Sequence, residues 1–152
     1  MKPAPFLNIK QLSVDFQTRN GVVRAIEDVT LQLEKGEVLG IVGESGSGKS
    51  VTAYSVMGLL DDAGAPVSGT ATFDGITITG ANESTLRDLR GREISMIFQN
   101  PRGALNPIRP VGLQIEDVLL RHGLATTPTA KTKAIEMLDK VKIIGPERRC
   151  GS

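Results

Sequence analysis

The chain has little of several features that identify large classes of protein. Its 152 residues include no tryptophan and only 3% aromatic residues, which disfavours a surface that stacks on single-stranded nucleic acid. Eighteen basic and seventeen acidic residues leave a net charge of +1, so the composition indicates no strong electrostatic surface for duplex DNA. We therefore expect no nucleic-acid partner.

Long apolar runs and cysteines are also scarce. The longest uninterrupted apolar runs fall far short of a bilayer span, and Met1 to Lys10 has too little apolar length and too many prolines for a signal peptide. The single cysteine, Cys150, excludes an internal disulfide and agrees with a reducing compartment. These features predict a cytoplasmic chain, in which Cys150 is an exposed and inert thiol.

The most informative stretch is glycine-rich and runs Gly43-Glu44-Ser45-Gly46-Ser47-Gly48-Lys49-Ser50. It follows the apolar run from Val38 to Val42, which predicts a buried strand, and it precedes residues 51–60, which predict a helix. A strand, a G-x-x-x-x-G-K-S loop and a helix in this order are typical of a phosphate-binding P-loop. The glycines let successive N–H groups point into one concavity, and the helix adds its positive dipole end. This concavity fits a polyphosphate.

Two side chains of this loop have a direct chemical role. Lys49 supplies a mobile positive charge for the β and γ phosphates, and the Ser50 hydroxyl can bind a Mg²⁺ ion that bridges them. A glycine-rich turn would carry the four fixed positions by chance on the order of once in two hundred chains of this length. We therefore interpret the segment as a nucleotide site.

The rest of the chain predicts a mixed α/β architecture. Alternating apolar residues predict antiparallel strands over Phe6 to Phe16, with one bulge, and over Val22 to Leu33. Asp74-Gly75 predicts a hairpin, and Asp61 to Pro66 predicts a loop. A second buried parallel strand is predicted from Glu93 to Phe98, and helices are predicted over residues 83–90, 111–122 and 129–141.

Three sequence blocks together resemble the nucleotide-binding subunit of ABC transporters, most closely the importer group for oligopeptides, dipeptides and nickel. The resemblance extends from Phe6 to about Gly145, which is the N-terminal part of such a subunit. The blocks are Leu12-Ser13-Val14-Asp15-Phe16, the stretch from Gly36 to Ser50, and Ile94-Ser95-Met96-Ile97-Phe98-Gln99-Asn100-Pro101 followed by Ala104-Leu105-Asn106-Pro107. The last block distinguishes this family from other P-loop proteins.

The resemblance implies a fold and a domain organisation. The fold class is an α/β P-loop NTPase core with an N-terminal antiparallel β subdomain and the start of a helical subdomain. Residues 1–110 would form the β subdomain and the ATP-binding core, and residues 111–152 would begin the helical subdomain. The loop from Asn100 to Pro110 would lie near the membrane subunits.

The resemblance also implies roles for individual residues. Phe16 matches the aromatic residue that stacks on adenine, and Gly43 to Ser50 match the Walker A loop that binds ATP and Mg²⁺. Gln99 matches the Q-loop glutamine, which contacts magnesium or the attacking water. The implied partners are membrane permease subunits and a second nucleotide-binding subunit, which place the chain on the cytoplasmic face of the membrane.

The chain departs from the family pattern after Gly145. It contains no LSGGQ-like signature, no strand ending in a Walker B aspartate, and no catalytic glutamate or switch histidine. We therefore expect a truncated, marginally stable chain that binds ATP but lacks the residues for efficient hydrolysis.

The sequence leaves two other functions open. The short chain could be a non-catalytic nucleotide-binding regulator of a complete transporter. It could also be a different P-loop enzyme, such as a GTPase or a small-molecule kinase, because a P-loop alone does not identify the reaction. Asp61 to Gly64 matches the D-x-x-G pattern of GTPases, but there is no N-K-x-D guanine-reading motif.

Overall fold

A computed structural model describes residues 4–60, 64–100 and 103–151. These residues form two compact units, which divide between Arg90 and Gly91. Residues 61–63 of the predicted loop lie outside the described residues, and the subdomain boundary at residues 110/111 stays a prediction. Within the described ranges, no helix has both the length and the apolar character to cross a membrane.

The first unit contains a four-stranded antiparallel sheet in the order β2-β1-β3-β4. The strand pair β1–β2 and the hairpin β3–β4 agree with the sequence predictions, and Asp74 and Gly75 both have the positive φ angles that a tight hairpin turn requires. The first strand contains the predicted irregularity as register shifts after Ile9, Leu12 and Val14. The strands are Leu7–Thr18 (β1), Gly21–Leu33 (β2), Gly64–Phe73 (β3) and Ile76–Thr77 (β4).

Two helices complete the first unit. Helix α1, Lys49–Met57, begins at the glycine-rich loop and contacts both β2 and β3. Its buried residues, which include Val56 and Met57, join the core formed by the sheet. Helix α2, Glu83–Leu89, is capped as predicted by Asn82, whose side chain accepts a hydrogen bond from the backbone N–H of Thr85.

The two predicted parallel strands are not formed in the described part of the chain. Residues 38–42 and 95–98 have no regular secondary structure, and the exposed fractions are 95% for Val38, 94% for Val42 and 98% for Ile97. The strand predictions for Val38 to Val42 and Glu93 to Phe98 are therefore wrong. A strand needs a hydrogen-bonded neighbour, and neither run belongs to the sheet that the described residues form.

The second unit contains three helices: α3, Val111–Arg121; α4, Thr127–Lys140; and α5, Pro146–Cys150. The first two match the predicted helices to within two residues at each end. Their core consists of Ala134, Leu138 and Cys150, against which partly buried apolar residues of α3 and α4 pack.

The prediction that Cys150 is an exposed thiol is wrong. Its exposed fraction is only 4%, because α5 folds its last turn against α3. The approach is so close that a Cβ atom on Gly112 would lie 2.1 Å from the sulfur. No apolar periodicity surrounds Cys150 in the sequence, so only the packing of α5 reveals the burial of this thiol.

The contrast between exposed and buried valines predicts a difference in stability. Val42→Ala should change the free energy of unfolding by less than about 0.5 kcal/mol, because the side chain is almost fully exposed. Val14→Ala, the same change at a fully buried position of β1, should cost about 2 kcal/mol. Urea unfolding followed by circular dichroism measures both, and an equal loss would show that residues 38–42 are buried in solution.

Candidate functional site

The P-loop segment forms a compact bend at the start of α1. Gly46 and Gly48 have φ angles of 80° and 87°, in the left-handed region that glycine adopts without strain. The backbone N–H of Ser47 donates to the Glu44 carbonyl at 3.3 Å, which closes the bend. Lys49 then begins the helix directly after Gly48. The predicted loop-to-helix transition is therefore present although the preceding strand is not.

The ammonium group of Lys49 lies inside this bend. Its Nζ atom donates to the carbonyl oxygens of Gly43 and Glu44, at 2.7 and 2.6 Å, and to the Ser47 hydroxyl at 3.1 Å. The side chain is half-buried. An ammonium group has three donors, and the loop oxygens occupy all of them. Lys49 therefore places one positive charge within the bend where the predicted phosphates would bind.

Close packing differs between Gly43 and Gly48. A Cβ atom on Gly43 would lie 2.7 Å from the Ser47 hydroxyl oxygen, which a rotation of the serine side chain can relieve. A Cβ atom on Gly48 would lie 2.3 Å from Cγ2 of Ile26 and 3.0 Å from the Ala25 carbonyl oxygen. The end of the loop thus lies directly against β2. The sequence did not predict this contact, because it depends on the register of β2.

The first turn of α1 favours an anion. The helix has no acidic residue in this turn and no side-chain cap, so its N-terminal N–H groups and positive dipole end face no competing carboxylate of the turn. Thr52 turns inward and donates through both its N–H and its hydroxyl to the Gly48 carbonyl. Ser50 is exposed. Its hydroxyl is therefore accessible to a cation.

The residues present fit a magnesium ion that is brought by a nucleotide. No group of three or more His, Cys, Asp or Glu residues that could hold a metal occurs in the described ranges. Mg²⁺ commonly keeps several waters and binds through one or two protein groups plus substrate phosphates. An exposed Ser50 hydroxyl next to Lys49 meets this requirement.

Phe16 lies in β1 between Val23 of β2 and Gly64 of β3. Its ring is half-buried and lies so close to Gly64 that a Cβ atom there would come 2.5 Å from Cε1 of the ring. The glycine therefore supports one side of the ring. This position is compatible with packing and with stacking, so the predicted adenine contact stays a prediction.

Gln99 lies in an irregular, exposed segment of the second unit. The P-loop and Phe16 both belong to the first unit. The role of Gln99 stays a prediction. Residues 101 and 102 of the predicted permease-facing loop lie outside the described residues.

An ion pair that the sequence did not predict adjoins Phe16. Arg24 of β2 donates to both carboxylate oxygens of Asp15, at 2.8 and 3.2 Å, and to Glu27 at 3.1 Å. The hydrogen bond from Arg24 lowers the pKa of Asp15, burial opposes this shift, and the Arg24 charge adds to it. The stabilisation from this pair is therefore present above about pH 4 and is lost as the pH falls through the lowered pKa.

Comparison with a protein-family model identifies the class of protein. Residues 26–151 match the model described as ABC transporter. The chain therefore belongs to the ABC transporter family, and the family named on the sequence blocks is confirmed. The match begins at Ile26, the residue that packs against Gly48.

The curated relatives are named for peptide transport. The chain is 48% identical over 143 residues to the oligopeptide transport ATP-binding protein OppD of Escherichia coli (strain K12), an alignment that covers 94% of this chain and 42% of OppD. It is 44% identical over 147 residues to OppD of Haemophilus influenzae, covering 97% of this chain and 45% of that protein. The chain spans 40 to 45% of the length of the curated relatives it matches.

Solved structures confirm the fold class. The ATP-binding cassette MJ0796, in a dimeric post-hydrolysis state bound to ADP and Pi, matches with a TM-score of 0.75 and 23% identity, covering 95% of this chain and 60% of that one. CbiO1 of Clostridium perfringens, part of the ABC transporter complex CbiONQ, matches with a TM-score of 0.63 and 21% identity, covering 95% of this chain and 53% of that one. The α/β cassette fold predicted from the sequence is therefore present over the described residues, without the two parallel strands.

Two loop glycines with similar φ angles provide a test of the contact with β2. Gly46→Ala places its Cβ in open space, so it should cost only the backbone strain of about 1–2 kcal/mol. Gly48→Ala also forces a Cβ into Ile26 and a backbone carbonyl, which should add about 1–3 kcal/mol. Equal unfolding free energies for the two variants in urea would contradict the described packing.

Proposed function

We propose that Gly43 to Ser50 bind the triphosphate of ATP with Mg²⁺, and that the chain is part of the ATP-binding subunit of an ABC importer for peptides or related solutes. The observation that carries this proposal is the position of Lys49 Nζ within 3.1 Å of three loop oxygens at the N-terminus of an uncapped helix. The peptide assignment is supported by the names of the curated relatives.

Binding exchanges one set of oxygen partners for another. In the free loop, Lys49 donates to two backbone carbonyls and the Ser47 hydroxyl. Phosphate oxygens carry formal charge and form stronger, charge-assisted hydrogen bonds with an ammonium group. The β and γ phosphates would therefore draw Lys49 toward the ligand, and the loop N–H groups and the dipole of α1 would bind the remaining oxygens.

Three further residues have proposed roles. The Ser50 hydroxyl would bind Mg²⁺. The Gln99 side chain would contact the magnesium ion or the attacking water. Phe16 would stack on adenine through its half-buried ring. Glu44, Ser45 and Gly46 would contribute their backbone to the phosphate site, because all three are exposed at the bend.

Transport would require partners outside this chain. We infer membrane permease subunits and a second nucleotide-binding subunit, which would hold the chain on the cytoplasmic face of the membrane. The 152 residues contain no Walker B aspartate or catalytic glutamate. The chain alone should therefore bind ATP but hydrolyse it much more slowly than the roughly ten turnovers per second that are typical of enzymes.

A titration with Mg-ATP tests the phosphate site. The purified chain should bind a fluorescent ATP analogue saturably, and its melting temperature should rise with ligand concentration. Lys49→Ala should weaken binding at least about tenfold, since it removes a charged hydrogen-bond donor. Lys10→Ala removes an exposed lysine from β1 and should bind as the wild type does. Equal affinity for Lys49→Ala and the wild type would refute the assignment.

A second titration tests the role of Phe16. If its ring stacks on adenine, Phe16→Ala should weaken the binding free energy of ATP by about 1–3 kcal/mol. The affinity for inorganic triphosphate should stay nearly unchanged. Isothermal calorimetry with both ligands measures the difference. Equal losses for ATP and triphosphate would show that Phe16 only supports the packing against Gly64.

A further inference from the structure

The guanidinium of Arg90 is bound to the C-terminal end of the P-loop helix. Its Nε atom donates to the Met57 carbonyl at 2.8 Å, and its Nη2 atom donates to the Gly58 carbonyl. Its Nη1 atom donates to the Glu83 carboxylate at 3.1 Å. All three partners precede Arg90 in the chain, and the two carbonyls are more than thirty residues away.

These carbonyls are groups that a helix cannot satisfy by itself. The last four C=O groups of an α-helix have no partner within the helix, and a cation at this end also favours the helix dipole. Helix α1 has no basic residue in its own last turn. Arg90 therefore supplies from a remote segment the charge and the donors that the end of α1 lacks.

The geometry selects arginine at this position. Its planar fork reaches two adjacent carbonyls and a carboxylate at once, which a lysine ammonium on a flexible stem does not reproduce. Gly58 has a φ of 60°, and a Cβ atom there would lie 3.0 Å from the Arg90 Nη2 atom. The Arg90 side chain is only 21% exposed, so this contact is partly shielded from water.

The other end of α1 is fixed as well. Gly48 packs on Ile26 and Ala25 of β2, which holds the start of the helix against the sheet. The nine residues of α1 span about 13 Å as a rigid rod. Packing at Gly48 fixes the position of the helix start but not the direction of the helix axis. That direction, and with it the direction of the first N–H groups, also depends on where the far end of α1 is bound.

We propose that Arg90 is a positioning residue of the nucleotide site, which fixes the direction of α1 and so aims the P-loop N–H groups and Lys49 at the phosphates. This inference rests on the proposed function of the P-loop. Arg90 is also the last residue of the first unit. The chain that continues from it leads within nine residues to Gln99.

The experiment compares Arg90→Met and Arg90→Lys with Arg87→Met in the full chain. Arg87 lies in α2, which ends directly before Arg90, donates to the same Glu83 carboxylate at 3.1 Å, and is 66% exposed, so it is a matched control. The dissociation constants for Mg-ATP and for magnesium tripolyphosphate are measured well below the melting transition of every variant. This condition separates positioning from loss of folded protein.

Both Arg90 variants should raise the dissociation constants for both ligands about fivefold to tenfold, the effect of one lost hydrogen bond, while Arg87→Met stays within about twofold of the wild type. If Arg90→Met does not fold, Arg90→Lys, which keeps the charge and loses the fork, gives the same comparison. Arg90 variants that melt earlier but bind with wild-type affinity would overturn the inference. A wild-type chain that binds neither ligand would refute the proposed function itself, and the inference with it.

Discussion

The contact of Gly48 with β2 is the constraint on which the proposed site depends. Because Gly48 has no side chain, the backbone at the end of the loop approaches Ile26 and the Ala25 carbonyl more closely than any other residue would allow. Lys49 begins α1 immediately afterwards. The antiparallel sheet therefore fixes the start of the helix, and the helix start fixes Lys49 and the loop N–H groups.

The P-loop keeps its bend although the residues before it form no strand. Its internal hydrogen bonds, from Lys49 Nζ and from the Ser47 N–H, close the loop locally. The apolar residues from Val38 to Val42 behave differently, because a strand forms by hydrogen bonding to a neighbouring strand, and these residues belong to no sheet of the described residues. The P-loop bend, which depends on local hydrogen bonds, is therefore formed, whereas the strand predicted over Val38 to Val42, which depends on pairing with a distant segment, is not.

The same distinction explains what the sequence could predict. The strands Leu7–Thr18 and Gly21–Leu33, the hairpin at Asp74-Gly75 and the helix caps at Asn82 follow from local periodicity and turn chemistry. The parallel strands, the burial of Cys150 and the contacts of Gly48 and Arg90 could not be predicted, because each depends on a partner distant in sequence. The P-loop motif supplies the residues of the candidate site, and the register of β2 determines how Gly48, at the end of that loop, packs.

The most direct test of the phosphate site is hydrogen exchange of the backbone amides, measured with and without saturating Mg-ATP. ATP should slow exchange at residues 46–51, whose N–H groups would face the phosphates, and Lys49→Ala should remove this protection. Unchanged exchange at these residues, in a chain that gains protection elsewhere on binding ATP, would show that the nucleotide binds outside the P-loop and would contradict the proposed phosphate site.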